Sequence, residues 1–329
     1  MRWGIVGAGR IAKKVGAALA ATPGHRVAAV WARRFDAAQA LAAGFDAWAT
    51  DAYPALLQSG QCDAIYIALP NHLHAPYAIE AARAGLHVLV EKPLVSQASE
   101  YHALRAAATA QGVVVAEGMM YQHHPQTVAV RALIAAGAIG AVQQIQVGFG
   151  YRQDNPYDIR MTEHIGGGAI ADLGCYAIHF AQLIAGAPVR TVVAQGSIGG
   201  NDVDVQSSAV CLHANGVQAT HSVSFVGGFH QSARIIGYDG VIEIERPFTI
   251  FPDRESSFVL RRGAHFAQRE VHTVAPCHHF VVQAEAFAEV VAAPAAERGG
   301  WVDGDSYTNA LVLDAWRTAM RRGSCVTVD

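Results

Sequence analysis

The chain has 329 residues, enough for two domains with separate cores, and at 52% hydrophobic and 16% charged it is globular rather than disordered. A formal net charge of −3 gives no electrostatic reason to expect nucleic acid or an anionic membrane as partner. No apolar run reads as a membrane span, and no leader-like block precedes WGIVGAGRIA. Five scattered cysteines without C-x-x-C spacing suit a reducing compartment, so a cytoplasmic protein is expected.

From the N-terminus, short apolar runs alternate with alanine-rich helical patterns. Trp3–Val6, Val27–Ala32, Ala64–Leu69, His87–Glu91 and Val113–Glu117 are continuously apolar, as strands covered on both faces must be. Thr22-Pro23-Gly24, Gly85 and Gly112 supply the helix stops between them. The rhythm predicts an α/β Rossmann domain over residues 1–120, with a parallel, doubly wound sheet. Beyond Tyr121 a helix over Thr127–Ala136 is followed by alternating strands at Gln143–Tyr151, Val189–Ser197, Gln206–His213 and Gln218–Phe225. Asn215-Gly216 and Asp239-Gly240 are turn signals. Further strands are read at Val241–Glu245, Ser257–Arg261, Arg269–Val274 and Cys325–Val328, and helices from Gly168, at Phe280–Ala292 and at Ser306–Arg321. Residues 121–329 thus read as an α+β domain with an open, mainly antiparallel sheet, for substrate binding and dimerisation. The helix over 306–321 is a candidate to pack back on the first domain, and Arg298-Gly299-Gly300 is the one loose spot.

Gly7-Ala8-Gly9-Arg10-Ile11-Ala12 follows the first strand and opens the first helix. Gly7 permits a tight turn, Gly9 close approach of a pyrophosphate, and Ala12 close helix–strand packing. The helix N-terminus at Arg10 and Ile11 presents free N–H groups. About twenty residues on, where an NAD site places an acid for the ribose 2′-hydroxyl, stand Arg33 and Arg34. A guanidinium suits a 2′-phosphate, so NADP is expected, with NAD possible; the bland alternative is two solvated arginines. Leu69-Pro70-Asn71-His72-Leu73-His74 follows another strand at the carboxyl edge. Leu69, Asn71 and His74 are candidate cofactor contacts, or else a helix-entry turn and cap. Glu91-Lys92-Pro93 ends a further strand at the same edge, either as a surface ion pair or as part of a site. The histidine pairs lack a convincing ligand complement, so no metal is expected. After Gly166-Gly167-Gly168, the residues Asp172, Tyr176 and His179 fall at i, i+4 and i+7 on one helical face, a costly set to bury inertly.

GAGRIA, ALPNHLH, VLVEKPL, EGMMYQHHPQ and GGGAIADLGCYAIHF, in that order, resemble the glucose–fructose oxidoreductase and inositol dehydrogenase family over essentially the whole chain. The resemblance implies a Rossmann domain joined to an open antiparallel sheet whose exposed face makes a homodimer or dimer of dimers. It places Lys92, with Glu91, beside nicotinamide and substrate. Tyrosine at 176 is similar to the branch of NADP-dependent aldose (xylose) dehydrogenases and dimeric dihydrodiol dehydrogenases. There it implies Tyr176 as acid/base with Lys92 and Asp172 in support, and Tyr121, Arg160 and His179 near substrate. Gln122 departs from the arginine often found after that first tyrosine, so contacts made by that arginine are not carried over.

The expected activity is NADP-dependent hydride transfer from a sugar or polyol hydroxyl carbon, of the aldose 1-dehydrogenase type. The rivals are a keto-sugar reductase, a dihydrodiol or hemiacetal dehydrogenase, and, from another class, a non-catalytic NADP-binding regulator.

Overall fold

The computed structural model describes residues 1–294 and 305–328, which form two compact units. The glycine pair at 299–300 lies outside the described residues. One unit comprises Met1–Met119 with Phe280–Ser306, the other Met120–His279 with Tyr307–Asp329.

In the first unit β1 (Arg2–Val6) leads into α1 (Arg10–Ala21), and β2 (Arg26–Trp31) into α2 (Phe35–Ala42). Next come β3 (Trp48–Thr50), α3 (Tyr53–Gln58), β4 (Ala64–Ile67), α4 (His74–Arg83), β5 (His87–Val90), α5 (Ala98–Gln111) and β6 (Val115–Glu117). The strands pair in parallel in the order β3-β2-β1-β4-β5-β6. The winding reverses at β1, and the crevice beyond the carboxyl ends of β1 and β4 is where such sheets take ligands. Every residue of β4 is buried, and β1 and β5 are buried beyond their first residues, as strands covered on both faces must be. The expected Rossmann architecture is present. The short edge strand β3, absent from the sequence reading, carries only three residues, too few for a periodic signal.

In the second unit α6 (Pro125–Ala135) precedes β7 (Val142–Gly150). A long loop then leads to a π-helical turn, Ile170–Gly174, continuous with α7 (Cys175–Ala185). β8 (Val189–Ile198), β9 (Asp204–His213), β10 (Gln218–Ser224), β11 (His230–Gly237), β12 (Gly240–Ile244), β13 (Ser256–Arg262) and β14 (Gln268–Val274) follow. After α8 (His279–Ala292) the chain ends in α9 (Asp305–Arg322) and β15 (Val326–Thr327). The described strands form one sheet in the order β14-β13-β12-β11-β7-β10-β9-β8-β15, antiparallel except where β7 runs parallel to β10. This is the mainly antiparallel sheet expected. β11 escaped the sequence reading because one of its inward positions is the polar Gln231. Buried at 6% exposure, Gln231 is satisfied by the backbone N–H groups of Phe248 and Thr249.

One face of this sheet is the core of the unit, with Ile145, Val147 and Phe149 of β7 against Ala219, His221 and Val223 of β10. The other face is open. Val193, Val210, Thr220, Gln146, Arg234 and Glu243 stand in register across six strands there, and the two valines are each 48% exposed.

One expectation is corrected. The stretch Glu163–Ala185 is long and apolar enough to cross a membrane by composition, yet 89% of its apolar window is buried within the protein. The helix at the C-terminus belongs to the second unit. Trp316 of α9 is fully buried in the second, its indole N–H donating to Ser207 Oγ at 2.8 Å and its ring 5.6 Å from that of His221. α8 belongs to the first unit from Phe280 on, and its Phe287 ring lies 5.2 Å from that of Trp3 at a 40° tilt. Trp316→Ala removes a fully buried indole packed against Ser207, His221 and Gly174, and should cost about 3–5 kcal/mol in urea unfolding.

Candidate active site

In the first unit the candidate residues gather at the carboxyl edge of the sheet. Gly7 has φ +111°, and a Cβ there would lie 2.5 Å from the Ala68 carbonyl oxygen, so only glycine fits beside β4. A Cβ on Gly9 would meet nothing within 4 Å, and no side chain caps the N-terminus of α1. That leaves the first N–H groups of the helix at Arg10 and Ile11 facing an open, glycine-walled approach, which fits a pyrophosphate. Arg33 and Arg34 are exposed just past β2, with Arg34 Nε 3.6 Å from Asp36. Two exposed guanidiniums at this position suit a phosphate monoester on the ribose.

The loop after β5 is built by its neighbours. The Tyr66 hydroxyl donates to Glu91 Oε1 at 2.6 Å, and the Lys92 backbone N–H donates to Glu91 Oε2 at 3.3 Å. The Lys92–Pro93 peptide is cis, and the Leu94 N–H donates to the buried Glu117 of β6 at 2.9 Å. Glu91 is therefore a brace that positions the lysine's backbone. Tyr66 and Glu117 were missed by the sequence reading, although an acid at the buried end of a parallel strand was a usable signal.

His74, read as a cofactor contact, is fully buried. Its Nδ1 lies 2.7 Å from the Pro93 carbonyl oxygen and its Nε2 2.8 Å from that of Leu69. With both ring nitrogens taken and no exposure, it bridges the loops after β4 and β5 instead of reaching a ligand. Burial pushes its pKa down to about 4, while the two carbonyl oxygens, which both accept only from a ring protonated on each nitrogen, pull it back up. Leu69 and Asn71 are half-buried at the strand end and helix entry.

In the second unit Asp172 sits in the π-helical turn that opens α7, one step before Tyr176; such turns are frequent at functional sites. The Tyr151 hydroxyl donates to Asp172 Oδ2 at 3.0 Å, and Arg160 Nε to the same oxygen at 3.2 Å. Arg160 also donates to Asp158 at 3.1 Å. Burial acts to lower the Arg160 pKa, but Asp172, Tyr151 and Asp158 together raise it. Arg160, expected at the substrate, pairs with Asp172 and Asp158. Tyr151 joins the site as a residue that sequence reasoning placed only on a strand.

The Tyr176 ring lies in an aromatic bed, with centroids 5.4 Å from Phe248, 5.8 Å from Phe149 and 6.1 Å from Tyr121. Its hydroxyl lies 3.7 Å from the Met120 sulfur. Tyr121 and His179, read as substrate contacts, are buried partners, Tyr121 Oη being 2.6 Å from His179 Nδ1. Burial drives His179 down to about 3, so the tyrosine donates and the neutral imidazole accepts. A π-helical turn carries Asp172, whereas Tyr176 and His179 lie on the regular helix that follows it. Among the described residues no group of His, Cys, Asp and Glu is placed to hold a metal.

Comparison with known proteins matches residues 1–119 to the oxidoreductase family with an NAD-binding Rossmann fold, and residues 127–243 to the GFO/IDH/MocA C-terminal domain. The chain is 32% identical over 327 residues to the dTDP-3,4-didehydro-2,6-dideoxy-alpha-D-glucose 3-reductase of Actinomadura kijaniata, covering 98% of this chain and 96% of the relative. It is 31% identical to D-xylose 1-dehydrogenase (NADP(+)) 2 of Haloferax volcanii, with 100% of both chains covered. The crystal structure of a 3-ketoreductase from Actinomadura kijaniata in complex with NADP and TDP-benzene gives a TM-score of 0.89 at 31% identity, over 97% of this chain and 98% of that one. The chain belongs to the GFO/IDH/MocA oxidoreductase family, the one its ordered motifs resemble.

His123 (about 4), His179 (about 3) and His221 (about 3) all have folded pKa values depressed by burial. Unfolded imidazoles titrate near about 6.5, so below that pH the unfolded chain binds protons that the fold refuses. The stability these neutral rings contribute is present above about pH 6.5 and is lost as pH falls towards about 4. Thermal unfolding followed from pH 7.5 to 5 should show a falling midpoint, and His221→Phe should flatten the slope.

Proposed function

We propose that this oxidoreductase uses NADP to interconvert a sugar or polyol hydroxyl with the corresponding lactone or ketone, working as an aldose 1-dehydrogenase. The observation that carries the reading is the carboxylate of Asp172, buried and held by Arg160 and Tyr151, next to a tyrosine fixed in an aromatic bed. The NADP-dependent xylose dehydrogenase and the NADP-bound ketoreductase among its relatives support the choice of cofactor and substrate class.

NADP, when bound, would supply the hydride acceptor or donor. Gly7, Gly9 and the N–H groups of Arg10 and Ile11 would hold its diphosphate, and Arg33 with Arg34 would bind its 2′-phosphate. Tyr176 Oη takes the proton from the substrate hydroxyl as its carbon loses hydride. A phenol titrates near about 10, so it needs a neighbouring positive charge to act near neutral pH, the role that the family resemblance gives to Lys92. Asp172 orients these groups, and Arg160 and Tyr151 keep its carboxylate in one geometry. The reverse direction, reduction of a keto-sugar, uses the same proton path. The similarity to the Actinomadura 3-ketoreductase makes that direction the second reading.

The decisive assay is absorbance of reduced nicotinamide, with NADP⁺ and NAD⁺ offered against aldoses, inositols and diols, and NADPH against keto-sugars. Tyr176→Phe and Lys92→Ala should each lower kcat about 10²- to 10⁴-fold; near-wild-type turnover in both would overturn the assignment. Arg33→Ala should raise the KM for NADP⁺ about tenfold or more, with NAD⁺ use unchanged.

The open sheet face is proposed as the surface on which two copies meet, supported by the solvent-facing Val193 and Val210 set beside the Arg234–Glu243 pair. A Val210→Glu chain should run at monomer mass in light scattering, whereas the wild type should run as a dimer or a dimer of dimers.

A further inference from the structure

Asp204 lies in the second unit, on the first residue of β9, and belongs to none of the groups assigned so far. It is 8% exposed although it carries a carboxylate. Its orientation comes from a fault in the sheet. Along β9 inward positions alternate from His213 back to Ser207, so regular pairing would turn residue 205 inward and 204 outward. The pairing with β8 instead slips between Ser197 and Ile198. Gln206 stands opposite Ser197 and Asp204 opposite Ile198, which leaves Val205 as an extra residue. Such a bulge re-aims the next side chain, here bringing Asp204 into the core beneath the start of the helix that carries Asp172 and Tyr176.

There the carboxylate does two things. Oδ1 accepts the backbone N–H of Ile170 at 2.6 Å, at the beginning of the π-helical turn. Oδ2 packs against Gly168, whose φ is +110° and where any Cβ would collide with it. Gly168 is itself a junction. Its N–H donates to the Arg160 carbonyl at 2.8 Å, and its carbonyl accepts the Asp172 N–H at 3.0 Å. Asp204 therefore grips the one backbone unit that connects Arg160 with Asp172. Two arginines of α9, Arg317 and Arg321, supply the positive charge facing it, and burial still raises its pKa to about 6.

We propose that Asp204 is a positioning residue of the active site, setting the start of α7 so that Asp172 meets Arg160 and Tyr151 and Tyr176 is presented to substrate. The proposal rests on the assignment of Asp172 and Tyr176 made above. It explains why a carboxylate is kept at a position where burial disfavours its charge, and why the last of the three glycines has no room for a side chain.

Asp204→Ala and Asp204→Asn test it. The alanine loses the acceptor, whereas the asparagine keeps an oxygen for the Ile170 N–H without the charge. Asp204→Ala should lower kcat about 10- to 100-fold, as displacement of a catalytic group by about 1 Å does. The Kd for NADP⁺, read by tryptophan fluorescence, should stay unchanged, and Asp204→Asn should recover most of the lost kcat. A kcat within about twofold of wild type in Asp204→Ala, or an asparagine variant as impaired as the alanine, overturns the proposal. If Asp204→Ala does not fold, Gly168→Ala displaces the carboxylate while leaving it in the chain. Loss of kcat with NADP⁺ binding intact then supports the proposal, and full activity overturns it. Hydrogen exchange at the Ile170 amide separates this inference from the functional reading. Protection present in wild type and Asp204→Asn but lost in Asp204→Ala shows the clamp whether or not any sugar is turned over, and protection equal in all three refutes it.

Discussion

A carboxylate with little access to water is tolerated only when its charge is met by donors in good geometry, and Asp172 is held on these terms. Arg160 and Tyr151 both donate to the same Asp172 oxygen, and much of the second unit is arranged so that they can. Tyr151 follows directly on β7, and its ring leans 5.2 Å from Phe225 just past β10. Arg160 stands on the loop between β7 and α7, which must fold back so that its own backbone carbonyl reaches the Gly168 N–H. That fold-back leaves no space for a side chain at Gly167, where a Cβ would lie 2.6 Å from the carbonyl oxygens of Arg160 and Thr162. Gly167 and Gly168 are thus a packing requirement of one ion pair as much as a flexible entry to a helix.

The first unit solves a related problem with different groups. A lysine at a strand end is useful only if the chain presents it in one direction. Here Glu91, Glu117 and His74 each fix a different backbone atom of the turn: the Lys92 N–H, the Leu94 N–H and the Pro93 carbonyl. His74 lies between this turn and the end of β4, in contact with the carbonyl oxygens of Pro93 and Leu69. Polar side chains buried beneath a ligand edge carry the positional accuracy that the loops themselves lack.

Much of this was legible in the primary structure. Continuous apolar runs marked the parallel strands, and alternating ones most of the antiparallel sheet, because burial on two faces or one leaves different periods. The glycine fingerprint, the arginines after β2, the E-K-P turn and the glycine-led helix were all visible as local patterns. β11 was not, since its buried Gln231 is satisfied by backbone from a segment some seventeen residues later, a contact no local window contains. For His74, Tyr121, Arg160 and His179 the partners within the protein could not be read from the sequence. Their residue types announced hydrogen bonding without announcing to whom.

The amino-acid order by itself determined the two-part architecture, the family and the set of polar residues from which a site could be drawn. Those properties follow from hydrophobic period, glycine placement and motif order, all of which are written along the chain. Only the tertiary structure decided which polar groups are braces within their own unit. A π-helical turn carries Asp172 ahead of the regular helix of Tyr176 and His179, and a bulge at Val205 turns Asp204 inward. Both are departures of a single residue from regular geometry. They arise where distant segments compete for the same hydrogen bonds, and so they leave no periodic trace in the sequence.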